Sequence, residues 1–331
     1  MNISSKIFAI IVTFNRKDLL HECLTKVSAQ TRTCDKIVVI DNESTDGTFE
    51  MLTQDWRDCV EIHSLPKNVG AAGGFNIGMR IAYQGGADFL WVMDDDVIPE
   101  ADALECLLAA NDVLRDQGRS VPFLMSVARS PNGMVTNVPT IDKRHNQQAY
   151  ENWPALLEHK MVPVRRATFA SILLPRDTLQ THGLPIASMF IWGEDTEYTL
   201  RVTTEHSGYL VGDSKVVHVR QLNGMIDIKK EQNAYRVSYF LHYFRNRLYT
   251  FRKYSGRRAA IDFTIRLLPL MLALCASRQF AKARIVLSGI LTGWLYDPTI
   301  EQADAVFDDT GIRSFPSLSA ARSGAAPPVL E

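Results

Sequence analysis

The sequence has few cysteines, no excess of charge of one sign and no long apolar run. Its five cysteines include no C-x-x-C pair, which argues against a disulfide framework and is typical of a reducing compartment. Lys and Arg number 36 against 37 Asp and Glu, so the composition predicts no nucleic-acid partner. The C-terminal apolar runs are shorter than the ~20 residues of a spanning helix. The N-terminal run, residues 7–12, predicts a buried strand and not a signal peptide. We therefore expect a cytoplasmic protein of enzyme size.

The sequence does contain a repeated strand–helix pattern over its first part. The apolar, β-branched segments typical of buried strands are residues 7–12, 36–40, 62–65 and 88–93. The intervening segments with helical spacing are residues 18–30, 49–56 and 75–83. Strands that alternate with helices predict an α/β fold with a Rossmann-like, mostly parallel central sheet.

The composition changes after about residue 225, which divides the chain into three regions. Residues 1–225 carry the α/β pattern. Residues 226–313 are predicted to be helical, and between Lys229 and Arg258 nine basic residues and one acidic residue alternate with aromatic side chains. This region either packs as structure or contacts an anionic membrane surface through residues 229–295, and its apolar helices suit pairing in a homo-oligomer. Residues 314–331, rich in Ser, Ala and Pro, predict a disordered tail.

Three consecutive carboxylates, Asp94, Asp95 and Asp96, follow the apolar strand that ends at Met93. Their mutual repulsion is roughly 1 kcal/mol per pair even at water-like screening, and a divalent cation removes it. Carboxylate oxygens suit Mg²⁺ or Mn²⁺, and ligands of open α/β sheets bind at the carboxyl ends of strands. Asp95, which points away from Asp94 and Asp96 if the strand geometry continues, is expected to orient the loop or to contact the donor sugar. The alternative for the three carboxylates is a solvated acidic turn.

Polar residues also follow the first two predicted strands. Thr13, Asn15 and Arg16 suit contact with a base edge or a phosphate. Asp41 is placed to accept the N3–H of a uracil or thymine, and Asn42 to organise the loop beside it. Helix N-capping is the competing explanation for the acidic and hydroxyl residues of the second loop.

The segment 68–74 is a glycine-rich turn that opens a helix. Backbone amides near Asn68, Gly70, Gly73 and Gly74, with Asn76 one turn on, suit a diphosphate or the ribose beside it. The spacing does not match the dinucleotide fingerprint, and close packing of helix on strand explains the glycines as well.

A second acidic pair, Glu194 and Asp195, begins a predicted helix. The helix dipole explains part of this placement. Bulky apolar neighbours such as Trp192, itself a candidate donor-binding residue, raise a carboxylate pKa. Glu194 and Asp195 are therefore candidate catalytic residues, with Asp195 as the general base. His218 ends a predicted strand, where a lone histidine is usually structural, but a carboxylate metal site elsewhere in the chain favours a role as ligand.

Together these segments resemble family 2 glycosyltransferases with the GT-A fold. The matching segments are residues 11–16, 38–47, 68–70, 91–97 and 192–198. The residues of these segments are similar to those of the same motifs in galactofuranosyltransferases and, less closely, in rhamnosyltransferases. The resemblance implies that Asp41 reads the pyrimidine, that Asp94 and Asp96 bind nucleotide and metal with His218, and that Asp195 is the base. The galactofuranose branch often has two aspartates where this chain has Glu194–Asp195, and residues 121–165 match no known pattern.

The resemblance therefore implies an inverting, metal-dependent enzyme that uses a nucleotide-diphosphate sugar. UDP-galactofuranose is the first expected donor and dTDP-rhamnose the alternative. The expected acceptor is a glycan, lipid-linked during cell-surface polysaccharide synthesis, which implies a peripheral position on the cytoplasmic face of the inner membrane. A sugar-nucleotide pyrophosphorylase and a non-catalytic nucleotide-binding scaffold are more distant alternatives.

Overall fold

The structure is a computed structural model that describes residues 5–219, 226–307 and 309–318. Within these ranges eleven strands form one sheet. The strands are β1 (Ile7–Thr13), β2 (Lys36–Asp41), β3 (Glu61–Ser64), β4 (Phe89–Asp94), β5 (Val97–Pro99), β6 (Leu124–Arg129), β7 (Thr140–Ile141), β8 (Met161–Arg166), β9 (Ile172–Pro175), β10 (Gly208–His218) and β11 (Arg313–Phe315). The α-helices are α1 (Lys17–Ser28), α2 (Thr48–Asp55), α3 (Gly70–Gln84), α4 (Ala103–Asp116), α5 (Arg176–His182), α6 (Glu194–Val202), α7 (Ala234–Thr250), α8 (Arg257–Ala276) and α9 (Phe280–Leu295).

The sheet is parallel in its first half and mostly antiparallel in its second. Strands β3, β2, β1 and β4 are adjacent and parallel, because the helices between them return the chain to the same edge. Antiparallel pairs follow on the other side of β4, with β9 against β4 and β6, and β8 against β10. The predicted α/β class is confirmed, whereas the expected parallel arrangement holds for the N-terminal half.

The register of the parallel strands places their polar ends side by side. Thr13 pairs with Asp41, and Val12 pairs with Asp94. Apolar residues of alternate strand positions pack on both faces of the sheet, in one core with α1, α2 and α4 and in another with α3. The buried faces therefore fix the edge where the polar turns after β1, β2 and β4 meet.

Helices α7, α8 and α9 form a separate apolar cluster centred on Phe240, Phe244 and Leu248. The chain then returns to the α/β layer, where Arg80 of α3 donates to the carbonyls of Gln302 and Ala305. The boundary predicted at residue 225 lies outside the described residues.

The predicted disordered tail was placed too early. Ser314 and Phe315 belong to β11, which pairs antiparallel with β3. The ring of Phe315 packs 5.5 Å from that of Phe49, so apolar contact and strand pairing hold this segment on the sheet. Residues 319–331 of the predicted tail lie outside the described residues.

Within the described residues, α8 is the one helix long and apolar enough, by length and composition, to cross a membrane. The sequence suggested shorter apolar runs because Asp262 and Arg266 interrupt the apolar pattern. Helical spacing places these charges between apolar positions without ending the helix.

Candidate active site

A cleft of about 1040 Å³ opens at the edge where β1, β2 and β4 end. The turns after these strands form one side of it, and the segment before α6 with the start of α7 forms the other. Lining residues include Thr13, Asn15, Arg16, Asn42, Asn68, Gly70, Asp94, Asp95, Asp96, Trp192, Glu194, Asp195, His218, Tyr235, Arg236 and Tyr239. Most of the predicted site residues therefore share one cavity.

Asp95 connects the turn after β4 to the turn after β1. Its Oδ2 accepts a hydrogen bond from Thr13 Oγ1 at 2.7 Å, and its Oδ1 accepts one from Arg16 Nη1 at 3.0 Å. Burial raises the pKa of Asp95 to about 6, although the Arg16 charge opposes that rise. Both carboxylate oxygens thus bond within the protein, which favours a role in orienting the loop, and contact of Asp95 with the donor sugar stays a prediction.

Asp94, Asp96 and His218 form the cluster that suits a metal ion. One ligand atom from each lies within 4.8 Å of the others. Burial raises the pKa of Asp94, and the charges of Asp96 and Asp95 raise it further. Burial also works against ionised Asp96, but hydrogen bonding and charge from His218 and Arg16 outweigh it and lower that pKa.

The hydrogen bonds around His218 test whether this cluster fits a cation. Asn137 Nδ2 donates to Thr168 Oγ1 at 2.9 Å, so its Oδ1 faces His218 and accepts from Nδ1 at 2.7 Å. His218 Nε2 lies 3.0 Å from Asp96 Oδ1. That oxygen is buried and accepts no hydrogen bond from any other described residue. A proton or a metal ion must lie between the two atoms, and a site of two carboxylates and one imidazole fits Mn²⁺ or Mg²⁺.

Glu194 and Asp195 begin α6 on the opposite side of the cleft. Glu194 is buried, and its Oε2 has no hydrogen-bond partner among the described residues. Burial raises the pKa of Glu194, and the Asp195 charge adds to this rise. Burial also raises the pKa of Asp195, against hydrogen bonds from Thr196. The charge of Asp94 interacts with both side chains, so the acidic pair and the metal cluster face one shared space.

The segment before this pair has a strained backbone. Phe190 and Trp192 have φ values of 65° and 61°, in the left-handed region that bulky residues rarely adopt. Asn246 of α7 is fully buried, and its Nδ2 donates to the carbonyls of Met189, Ile191 and Trp192 at 2.9, 3.1 and 3.2 Å. Such strain persists only where surrounding contacts hold it. Asn246 supplies those contacts to the segment that precedes Glu194 in the chain.

The contacts of Asn246 also fix the orientation of its amide. Its Oδ1 accepts from the Arg245 guanidinium at 2.9 and 3.0 Å, which leaves Nδ2 as the group that faces the loop. Arg245 itself donates to the carbonyls of Ser188 and Met189. The C-terminal helical region is therefore part of the site.

The backbone amides of the glycine-rich turn do not have the predicted role of binding a diphosphate. Three of its amides are bonded within the protein: Val69 N to Asn42 Oδ1, Gly70 N to Asn68 Oδ1, and Ala72 N to Phe190 O. These amides are not free to cradle a diphosphate. Asn42, Asn68 and Gly70 line the cleft and hold its shape.

Three predicted donor-binding residues of α3 are not brought to the cleft. Gly73 and Gly74 are buried, and a Cβ on Gly74 would lie 2.6 Å from Val12 Cγ1. Asn76 is also buried and donates to Pro185 O at 2.8 Å. Close packing of helix on strand explains Gly74, whereas Gly73 packs against Val69 and Asn76 bonds to a loop carbonyl.

Asp41 lies beside the cleft and is buried. Its Oδ1 accepts from Ser44 N at 3.0 Å, and burial raises its pKa against the hydrogen bonds of Ser44. Asn15 lines the cleft in a left-handed conformation, and its Oδ1 accepts from Thr45 N at 2.7 Å. Contact of Asp41 with a base therefore stays a prediction.

Comparison with known proteins identifies the family of the N-terminal part of the chain. The model of the family described as glycosyl transferase family 2 matches residues 8–124. Residues 8–124 are a family 2 glycosyltransferase domain. This domain contains the donor-side turns and all three aspartates after β4, whereas Glu194, Asp195 and His218 follow it in the chain.

Relatives of the family 2 domain include galactofuranosyltransferases. The chain is 28% identical over 201 residues to galactofuranosyltransferase GlfT1 of Mycolicibacterium smegmatis, covering 59% of this chain and 64% of that protein. It is 36% identical over 94 residues to galactofuranosyltransferase GlfT1 of Mycobacterium tuberculosis (strain H37Rv), covering 28% and 31%. The chain therefore spans less than two thirds of the length of these relatives.

Solved structures show that the fold is GT-A. GalNAc-T7, crystallised with UDP, GalNAc and Mn²⁺, matches with a TM-score of 0.54 at 14% identity, over 76% of this chain and 50% of that one. Residues 1–349 of Staphylococcus aureus TarS, in complex with UDP, match with a TM-score of 0.50 at 14% identity, over 80% and 72%. The predicted GT-A fold is confirmed.

Sequence reasoning missed the residues that support the family 2 domain from outside it. Asn137 lies in a stretch without recognisable pattern, and no local signal marks it. Asn246 carries a weak signal, since it is a polar residue on the buried face of an aromatic helix. Tyr235 and Arg236 lie in the basic, aromatic stretch, which the sequence associated with packing or lipid instead of the cleft.

Proposed function

We propose that this chain transfers a sugar from a UDP-sugar, with UDP-galactofuranose as the first choice, to a hydroxyl group of a glycan, with inversion at the anomeric carbon. The observation that carries the proposal is the single cleft that Asp94, Asp96 and His218 share with Glu194 and Asp195. The GlfT1 relatives support the choice of galactofuranose, and the UDP complex of TarS supports the choice of nucleotide.

The chain's own residues supply the two sides of such a reaction. Asp94, Asp96 and His218 would hold Mn²⁺ or Mg²⁺, which as a Lewis acid stabilises the diphosphate that leaves. Arg16, beside Asp95 and Asp96, holds the carboxylates in place.

On the other side, Asp195 accepts the proton of the acceptor hydroxyl, whose oxygen attacks the anomeric carbon as the bond to the diphosphate breaks. One base suffices, because the diphosphate leaves without protonation. The buried Glu194 Oε2, which has no hydrogen-bond partner among the described residues, would accept a hydrogen bond from a hydroxyl group of the bound sugar.

Hydrolysis of nucleotide sugars by the purified protein tests this proposal. We expect Mn²⁺-dependent hydrolysis of UDP-galactofuranose to exceed that of dTDP-rhamnose and of other UDP-sugars. Asp96→Ala should abolish the Mn²⁺-dependent hydrolysis, and Asp116→Asn, an exposed position at the end of α4, serves as the matched control. Hydrolysis that survives both EDTA and Asp96→Ala would refute the metal-dependent mechanism, and a preference for dTDP-rhamnose would replace the donor.

The acceptor and the cellular location are further proposals. A lipid-linked glycan acceptor suits an enzyme at the cytoplasmic face of the inner membrane. The cytoplasmic location is still a prediction. The hydrolysis assay tests neither the acceptor nor the location, because water is the acceptor in that assay.

A further inference from the structure

Helices α8 and α9 form a hairpin joined by residues 277–279. Its inner side packs against the rest of the protein: Leu267 and Leu274 of α8 and Val286 of α9 are buried in the cluster with α7. Glycines let α9 approach α7 closely, since a Cβ on Gly289 would lie 2.6 Å from Phe244 Cβ. The hairpin is thus anchored on one side.

The outer side of α8 is apolar and exposed. Ile261, Ile265, Leu268 and Leu272 are exposed at helical spacing, and Leu272 is 71% exposed. Of the 20 residues of α8, only Ala260, Leu267 and Leu274 are buried. Single exposed leucines are ordinary, but a continuous stripe of large apolar side chains marks an interaction surface.

The outer side of α9 has the same character. Phe280, Leu287, Leu291 and Leu295 are exposed, with Phe280 at 63% and Leu295 at 84%. Neighbouring helices of one hairpin therefore each present an apolar stripe to solvent.

The charge of the hairpin selects the kind of partner. Residues 257–295 contain six basic residues and one acidic residue, whereas the whole chain has a net charge of −1. The basic residues Arg257, Arg258, Arg266 and Arg284 are exposed on the same helices as the apolar stripes. Apolar side chains flanked by arginines are what an interfacial helix presents to anionic lipid.

A second copy of the chain is a poorer partner for this surface. A two-fold symmetric dimer brings the same patch of both copies together, so two surfaces of net positive charge would repel each other. An anionic bilayer accommodates the apolar side chains and the positive charges at the same time.

A membrane-spanning role for α8 also fits less well. Arg266 lies at the middle of the helix, where a charge facing hydrocarbon is costly. Leu267 and Leu274 would have to leave their packed cluster for α8 to insert. A helix that lies in the interface keeps both the packing and the solvated charges.

We propose that the outer surface of the α8–α9 hairpin binds peripherally to anionic membranes. Helix α7 links this surface to the cleft, because Tyr235 and Arg236 at its start line the cleft and α9 packs along it. Helix α7 has 17 residues and is therefore about 25 Å long. The cleft therefore lies within one helix length of the hairpin that contacts the lipid. The proposal does not depend on the donor or the reaction.

Vesicle flotation of the full chain tests this surface. We expect the protein to float with vesicles of phosphatidylcholine and phosphatidylglycerol at a 2:1 ratio, and less with pure phosphatidylcholine. The double variant Leu272→Glu with Leu291→Glu should lower the bound fraction about tenfold or more. Leu157→Glu, at an exposed leucine outside the hairpin, is the matched control and should bind normally.

Each other outcome overturns the proposal in a defined way. If the protein does not float, or if the control variant loses as much binding as the double variant, the hairpin is not a membrane-binding surface. Equal binding to both vesicle types would show that binding does not require anionic lipid. If light scattering shows a vesicle-free dimer that the double variant dissociates, the occupant is a second copy. Circular dichroism of each variant excludes misfolding as the cause.

Discussion

Asn246→Asp isolates the contact between α7 and the strained loop before Glu194. The substitution keeps the size of the side chain but replaces the donating Nδ2, which lies 2.9–3.2 Å from three carbonyls, by an oxygen that cannot donate. An amide has two N–H groups, and each buried acceptor left without a donor costs about 1–3 kcal/mol. We therefore expect a loss of about 2–6 kcal/mol, a large fraction of the 5–15 kcal/mol of a typical domain.

The same change should alter function at temperatures where the variant is still folded. Without Asn246, the positive φ values of Phe190 and Trp192 are free to relax. Glu194 and Asp195 follow directly, and a displacement of a catalytic group by about 1 Å costs up to about 10²-fold in rate. We expect Mn²⁺-dependent hydrolysis of the donor to fall by about that factor, whereas Mn²⁺ affinity stays unchanged because the metal cluster lies across the cleft.

A variant with matched loss of stability separates these effects. Leu114→Ala removes a fully buried side chain at the end of α4, at a cost of about 2–5 kcal/mol. Both variants are compared by urea unfolding, by titration calorimetry with Mn²⁺ and by hydrolysis at low temperature. If Asn246→Asp hydrolyses the donor as fast per folded molecule as Leu114→Ala, the loop does not depend on Asn246 and the reasoning is wrong.

Three further changes test other parts of the site. Asp195→Asn should lower turnover by about 10²-fold or more with UDP affinity retained. A base acts in its ionised form, and burial raises the pKa of Asp195 above its ordinary 3.8, so the wild-type rate should fall as the pH drops through that raised pKa. A rate that is still independent of pH at about pH 4 would contradict this role. Asn137→Ala should weaken Mn²⁺ binding about 10–100-fold in calorimetry, with recovery in Asn137→Asp, which keeps an acceptor for the His218 ring; equal affinity in all three proteins would exclude a positioning role. Gly70→Ala should lower stability to urea more than Gly118→Ala, since both glycines have positive φ but only at Gly70 does the new Cβ meet a backbone oxygen, at 2.1 Å; equal shifts would show that the loop yields without cost.

Much of the candidate site was predictable because its signals are local. An apolar β-branched run followed by polar residues marks the end of a buried strand, and parallel strands align such ends at one edge. This logic placed Thr13, Asp94 and Asp96 correctly around the cleft. The chemistry of carboxylates and imidazole then grouped His218 with them, although it lies more than a hundred residues later.

The same local signals misplaced Gly73, Gly74 and Asn76. Glycines that open a helix suit both a phosphate cradle and close helix–strand packing, and the sequence pattern is the same for both. The distance from Gly74 to Val12 decides for packing. Only the neighbouring strand, brought there by the fold, separates the two explanations.

The sequence by itself determined the order of strands and helices, the polar turns and the acidic residues that define the family 2 domain. The tertiary structure decided how these residues divide their work: Asp95 turns toward Thr13 and Arg16, whereas Asp94 and Asp96 face His218. It also brought Asn246 to the loop before Glu194, 55 residues away from Ile191 in the chain. Local patterns record what each segment prefers, but long-range packing sets which side chains meet, and these contacts have no periodicity along the chain.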